Sequence, residues 1–114
     1  MMIYVLDDDV LEPILWRENA KGHIVLGFQT ALDYRQAVME QQPDIAIIDL
    51  IMPNETGDEV CKWTRVCYPD VRLVVCTGVE GEEYKILAEH CGATYMSKNL
   101  KHSERMEALN GTQS

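Results

Sequence analysis

Positive charge is scarce in this sequence. Its 114 residues carry 10 Lys and Arg against 19 Asp and Glu, a formal charge of −9. Binding to nucleic acid draws on clustered Lys and Arg, so no direct nucleic-acid partner is expected, and docking on anionic lipid is disfavoured for the same reason. Long hydrophobic runs are also missing. No apolar stretch approaches the roughly 20 residues of a membrane span. The first apolar run, Ile3-Tyr4-Val5-Leu6, is short and is followed by acids rather than by a small-residue cleavage site, so a secretory signal is not expected. The four cysteines, Cys61, Cys67, Cys76 and Cys91, form no CxxC pair and have no zinc-finger spacing to His23, His90 or His102. They read as four small buried hydrophobes in a reducing compartment, within a soluble, cytoplasmic protein.

What is present is enough apolar material (46%) for one small core, together with an acidic run, Asp7-Asp8-Asp9, directly behind the first apolar segment. Apolar runs and helical patterns then alternate. Strands are expected at Met2–Leu6, His23–Phe28, Ile45–Ile48, Val71–Cys76 and Ala93–Ser97. Between and after them lie helical stretches. The first carries Leu11, Ile14 and Leu15 at i, i+3, i+4, with Asp9 as its cap and Pro13 in its first turn. The others are expected over Leu32–Gln41, with Ala37, Val38 and Gln41 on one side, and over Asp58–Cys67, with Val60, Trp63, Thr64 and Cys67 on one stripe. Glu82–Cys91 follows, with Tyr84, Leu87, Ala88 and Cys91 aligned, then Leu100–Leu109. Trp16 and Trp63 are expected to be partly buried. Gly22 and Gly92 sit where helical units end. Residues 110–114 read as a polar tail after a single domain over 1–109. Five βα units with short connections require parallel strands and right-handed crossovers. The expected architecture is α/β: a single (βα)5 doubly wound, five-stranded parallel sheet with helices on both faces.

In open α/β sheets functional groups collect beyond the carboxyl ends of the strands. Here those ends are Asp7-Asp8, Asp49, Thr77 and Lys98, while the second strand offers no charge. Crowded carboxylates repel one another until a proton or a cation relieves them. Oxygen-only ligands select a hard divalent ion, Mg²⁺ with several waters retained. A carboxylate nucleophile beside Mg²⁺, a lysine and a hydroxyl is equipment for accepting a phosphoryl group.

These residues lie in motifs that resemble the receiver domain of two-component response regulators. They are Val5-Leu6-Asp7-Asp8-Asp9, then Asp44 through the run Asp49-Leu50-Ile51-Met52-Pro53-Asn54 to Gly57, Val74-Val75-Cys76-Thr77-Gly78, and Gly92-Ala93-Thr94-Tyr95-Met96-Ser97-Lys98. The resemblance implies the flavodoxin-like (CheY-like) strand order 2-1-3-4-5. It implies Asp49 as phosphoacceptor, Asp8 as a direct Mg²⁺ ligand, Asp7 holding the metal or its water, and the backbone carbonyl of Ile51 as a further ligand. It also implies Thr77 and Lys98 as grips on phosphoryl oxygens, and Tyr95 as the aromatic switch coupled to Thr77. The implied partners are a sensor histidine kinase or histidine phosphotransfer domain and a downstream protein target, with the chain a monomer or a phosphorylation-dependent homodimer. Asn99 departs from the pattern, since proline usually follows the lysine. Two other readings are a phosphorylation-independent pseudo-receiver that acts by binding alone, and a haloacid dehalogenase-type phosphatase. The second also uses Asp-x-Asp, but Leu11 and the short chain fit it poorly.

Overall fold

A computed structural model describes residues 1–111. Five parallel strands, β1 (Met2–Leu6), β2 (Ile24–Phe28), β3 (Ile45–Ile48), β4 (Arg72–Thr77) and β5 (Ala93–Ser97), form one sheet in the order β2-β1-β3-β4-β5. Five helices alternate with them: α1 (Leu11–Asn19), α2 (Ala31–Glu40), α3 (Gly57–Cys67), α4 (Glu82–His90) and α5 (His102–Gly111). This is the order implied by the receiver-domain resemblance. Boundaries shift by one or two residues. α5 runs on through Asn110 and Gly111, which the sequence pattern had placed in the tail, and the remainder of that tail, 112–114, lies outside the described residues.

Strand periodicity sorts the core into two layers. On one face of the sheet Ile3, Val5, Ile45, Ile47, Val74 and Cys76 pack with Trp16 and Ala20 of the α1 region and with Met106 and Leu109 of α5. On the other face Tyr4, Leu6, Ala46, Ile48, Leu73 and Val75 pack with Tyr34 and Val38 of α2, Val60 and Cys61 of α3, and Ala88 of α4. The central strands are buried on both sides, which explains why β3 is a continuous apolar run.

Three helical faces differ from the sequence expectation. In α1 the buried residues are Pro13 and Trp16, while Leu11, Ile14 and Leu15 are exposed. The register is set by the Pro13 ring, which lies so close to Gly27 of β2 that a Cβ there would sit 2.4 Å from it. Trp16 is therefore wholly inside the core rather than partly buried. In α2 Tyr34 and Val38 face inward and Gln41 is exposed at the helix end, its carbonyl accepting from the Tyr4 hydroxyl at 2.8 Å. In α3 the buried stripe is Gly57, Val60, Cys61 and Thr64, with Trp63 half-buried. Cys67 is exposed, so three thiols, not four, are buried. The α4 stripe and the left-handed Gly92 (φ 74°) match the sequence pattern.

Candidate functional site

The parallel ladder continues for one residue past several strands, and that continuation builds the pocket. The Asp7 N–H donates to the Phe28 carbonyl at 3.0 Å, and that of Asp49 to the Leu6 carbonyl at 2.9 Å. The Lys98 N–H donates to the Thr77 carbonyl, also at 2.9 Å. Each functional residue is thus held by the neighbouring strand, and the side chains meet at one end of the sheet.

Asp7, Asp8 and Asp49 bring carboxylate oxygens within 4.8 Å of one another. Asp7 and Asp49 are buried, whereas Asp8 is exposed at the rim. The Lys98 ammonium bridges the two buried acids, 2.6 Å from Asp7 and 3.3 Å from Asp49. Asp7 also accepts the N–H of Asp9 at 2.9 Å, and Asp49 that of Ile51 at 3.3 Å. Asp9, expected to cap α1, instead accepts the Leu11 N–H at 3.0 Å in a turn just ahead of the helix, whose cap position is held by Val10 without a side-chain cap bond.

Burial, and then the charge of Asp7, push the Asp49 carboxyl above its ordinary value, with Lys98 opposing. Burial likewise raises Asp7, again against Lys98. For Lys98 burial disfavours the ammonium. The Asp7 hydrogen bond and the two carboxylate charges outweigh it and hold the amine above its usual range. The pocket is therefore short of positive charge even with its lysine in place. Three hard oxygen donors around that deficit fit Mg²⁺, and Asp7, Asp8 and Asp49 are the side chains that would hold it.

Thr77 is buried at the end of β4, its hydroxyl accepting the Val79 N–H at 3.3 Å. The Tyr95 hydroxyl donates to the Val79 carbonyl at 3.1 Å, and the Lys85 ammonium lies 5.9 Å from its ring centre. Thr77 and Tyr95 therefore hold the same residue of the β4–α4 loop. Gly57 backs the site from behind: a Cβ there would lie 2.1 Å from the Asp49 carbonyl oxygen. This close approach is the physical reason for a glycine after the Asp-x-x-Met-Pro segment.

The family model of the response regulator receiver domain matches residues 3–110. The chain belongs to that family. Among curated relatives, the transcriptional regulatory protein GltR of Pseudomonas aeruginosa is 30% identical over an alignment covering 94% of this chain and 48% of GltR, so the chain spans about half that relative's length. Among solved structures, the Vibrio cholerae chemotaxis protein CheY4 superposes with a TM-score of 0.89 at 20% identity, covering 96% of each chain. The beryllofluoride-activated receiver domain of DrrB, a Thermotoga maritima protein, gives 0.88 at 20% identity, covering 96% of this chain and 94% of that one. Receiver domains serve two-component signal transduction as signalling modules rather than as dedicated enzymes.

The receiver pocket thus gathers Asp7, Asp8, Asp49, Thr77 and Lys98, with Tyr95 one loop away. Sequence reading missed a second cluster next to it, formed by Glu12 of α1 with His102 and Arg105 of α5. Arg105 is 3% exposed. The only sequence signal for it is a charged residue directly preceding the apolar anchor Met106 in a weakly amphipathic helix. No helix among the described residues is long and apolar enough to cross a membrane.

Proposed function

We propose that Asp49 accepts a phosphoryl group from the phosphohistidine of a sensor kinase or histidine phosphotransfer domain, in a cytoplasmic setting. A carboxylate oxygen of Asp49 attacks phosphorus while the bond to the histidine nitrogen breaks. Mg²⁺ held by Asp7, Asp8, Asp49 and the carbonyl of Ile51 would supply charge neutralisation for the phosphoryl oxygens. Lys98 moves its ammonium from bridging two carboxylates to pairing with the incoming group. Thr77 donates its hydroxyl to another oxygen. The observation that carries this reading is the buried Asp49 carboxylate, raised first by that burial and then by Asp7, and within reach of Lys98.

The consequence is a two-state element biased by local charge. When the Thr77 hydroxyl turns to the phosphoryl group, its bond to the Val79 N–H is lost, and the Val79 carbonyl held by Tyr95 moves with the loop. This couples the pocket to the face formed by α4, β5 and α5, where a downstream protein or a second copy would bind. The exposed apolar side chains Val10, Leu11, Ile14 and Leu15, at and along the helix that follows the acids in the chain, offer a surface for the phosphodonor.

Incubation with Mg²⁺ and a small phosphodonor, followed by intact mass, tests the reading. One phosphate adduct on the wild type, absent in Asp49→Ala, is expected. No adduct on the wild type, or an undiminished one in Asp49→Ala, overturns it, and retained partner binding in that case would point to a pseudo-receiver.

A further inference from the structure

Among the described residues, the buried charged side chains are Asp7, Asp49 and Arg105. The first two belong to the acid pocket; Arg105 meets that pocket only through the backbone of Lys98. A guanidinium offers five N–H donors in a planar fork. Here Nε donates to the Leu100 carbonyl at 3.0 Å and Nη2 to the Lys98 carbonyl at 2.7 Å. Nη1 donates to the Glu12 carboxylate at 2.9 Å and lies 3.1 Å from His102 Nε2. The guanidinium carbon is 5.8 Å from the centre of the Trp16 ring. Lys98 is consequently held on both sides. Its N–H is bound to Thr77 of β4, and its carbonyl to a side chain of α5.

We propose that Arg105 is a positioning residue for Lys98. By holding the carbonyls of Lys98 and Leu100 it fixes the turn between β5 and α5 and so aims the Lys98 ammonium at Asp7 and Asp49. Glu12 and Trp16 of α1 fix the guanidinium in its turn. The turn's other bonds act on different groups: the Asn99 N–H on Ser97 Oγ at 3.1 Å, the Asn99 amide on Glu80, and the Leu100 N–H on the Ser97 carbonyl. A lysine side chain is long and loses much rotamer freedom when it is aimed. Fixing its backbone from two elements reduces the number of directions open to it. The geometric part of the inference stands alone; its effect on rate rests on the phosphoacceptor reading.

Arg105→Lys is the discriminating variant. It keeps a cation beside Glu12, but an ammonium cannot reproduce a fork that spans two carbonyls. Two quantities are measured on the full chain: the rate of phosphoryl uptake from phosphoramidate with Mg²⁺, and amide hydrogen exchange. The expected result is a rate lowered roughly tenfold, short of the roughly hundredfold cost of a 1 Å misplacement. The Lys98 amide should exchange faster, with the Asp49 amide unchanged. In a Lys98→Ala background Arg105→Lys should cost no further rate, because its effect acts through that lysine. Val38→Ala, a cavity on the opposite face of the sheet, should lower the melting temperature and leave the rate alone. If Arg105→Lys fails to fold, the pair Arg105→Gln with Glu12→Gln leaves no lone buried charge and is read in the same two ways. Wild-type rate together with unchanged Lys98 exchange overturns the proposal, as does an equal rate loss in the Lys98→Ala background. A wild type that takes no phosphate refutes the phosphoacceptor reading instead, and the exchange data then decide the positioning.

Discussion

Asp49→Asn tests the electrostatics of the pocket with almost no change of shape. Two unit charges no more than 4.8 Å apart repel by about 3.5 kcal/mol at an effective dielectric constant near 20. Lys98 is shared between Asp7 and Asp49 and offsets much of this, but removing a carboxylate from water still costs several kcal/mol. The amide keeps the shape, leaves the shorter Lys98–Asp7 pair intact and removes one charge. Without divalent metal, Asp49→Asn should therefore be more stable than wild type at pH 7.5 by about 1–2 kcal/mol, or roughly 4–8 °C in Tm. The pH dependence has a definite sign. A carboxyl raised in the folded state binds more protons there than when unfolded, so its contribution to stability falls as pH rises above the ordinary value of 3.8. The gap between variant and wild type should accordingly be fully open at neutral pH and close as pH falls towards that value. Mg²⁺ should reverse the order. At 100 times its Kd it stabilises the wild type by about 2.7 kcal/mol, and the variant, one ligand short, by less. Urea unfolding followed by circular dichroism, with EDTA or with Mg²⁺ and at several pH values, reads all three. An Asn variant no more stable than wild type in EDTA, or a gap indifferent to pH, would refute the reasoning.

Gly57→Ala should cost at least about 2 kcal/mol in urea unfolding and slow phosphoryl uptake, because the new Cβ meets the backbone of Asp49 and Leu50, which cannot give way as a side chain tip can. An unchanged midpoint would show that α3 can slide away freely. Ile51 and Val79 stand two residues beyond Asp49 and Thr77 and cannot orient an attacking water by hydrogen bonding, so the phosphorylated protein should decay slowly. Val79→Gln should decay faster in a time course of intact mass, and equal lifetimes would remove this explanation. Of the four thiols, Cys67 alone is exposed. Burial raises the thiols of Cys61 and Cys91 and pushes that of Cys76 up to about 12. A disulfide reagent should titrate one thiol in the native protein and four in denaturant; rapid reaction of more than one in the native protein contradicts the burial.

The pocket was legible because each member directly follows an apolar strand, and parallel strands necessarily bring their carboxyl ends to one edge. Asp7, Asp49, Thr77 and Lys98 needed only the strand ends to be placed, and every one of those was right to within a residue. Helix faces were less legible. Leu11, Ile14 and Leu15 satisfy helical spacing, yet α1 buries Pro13 and Trp16 instead. Hydrophobic periodicity registers which residues are apolar, not which neighbour has room for them. The room here is the missing Cβ of Gly27, a residue in another element. The leucines and isoleucine left exposed on α1 are the side chains proposed above as the donor surface, so the misread face and that proposed surface are one observation.

Arg105 was illegible for a related reason. In sequence a charged residue in a weakly amphipathic helix reads as solvated surface, and only its place directly before Met106 distinguishes Arg105 from Glu104 or Glu107. What buries it is long-range: Glu12 from α1, the Trp16 ring, and two carbonyls of a turn that Asn99 leaves without a rigid proline. The low apolar content of α5 then has a physical account. Met106 and Leu109 supply its packing, and the guanidinium supplies directed bonds where further apolar anchors are lacking. A helix attached in this way is tied to the position of Lys98. Movement of Lys98 towards a phosphoryl group would pull on the turn, on Arg105 and on α5 together, giving the pocket a second route to that face besides the one through Thr77 and Tyr95.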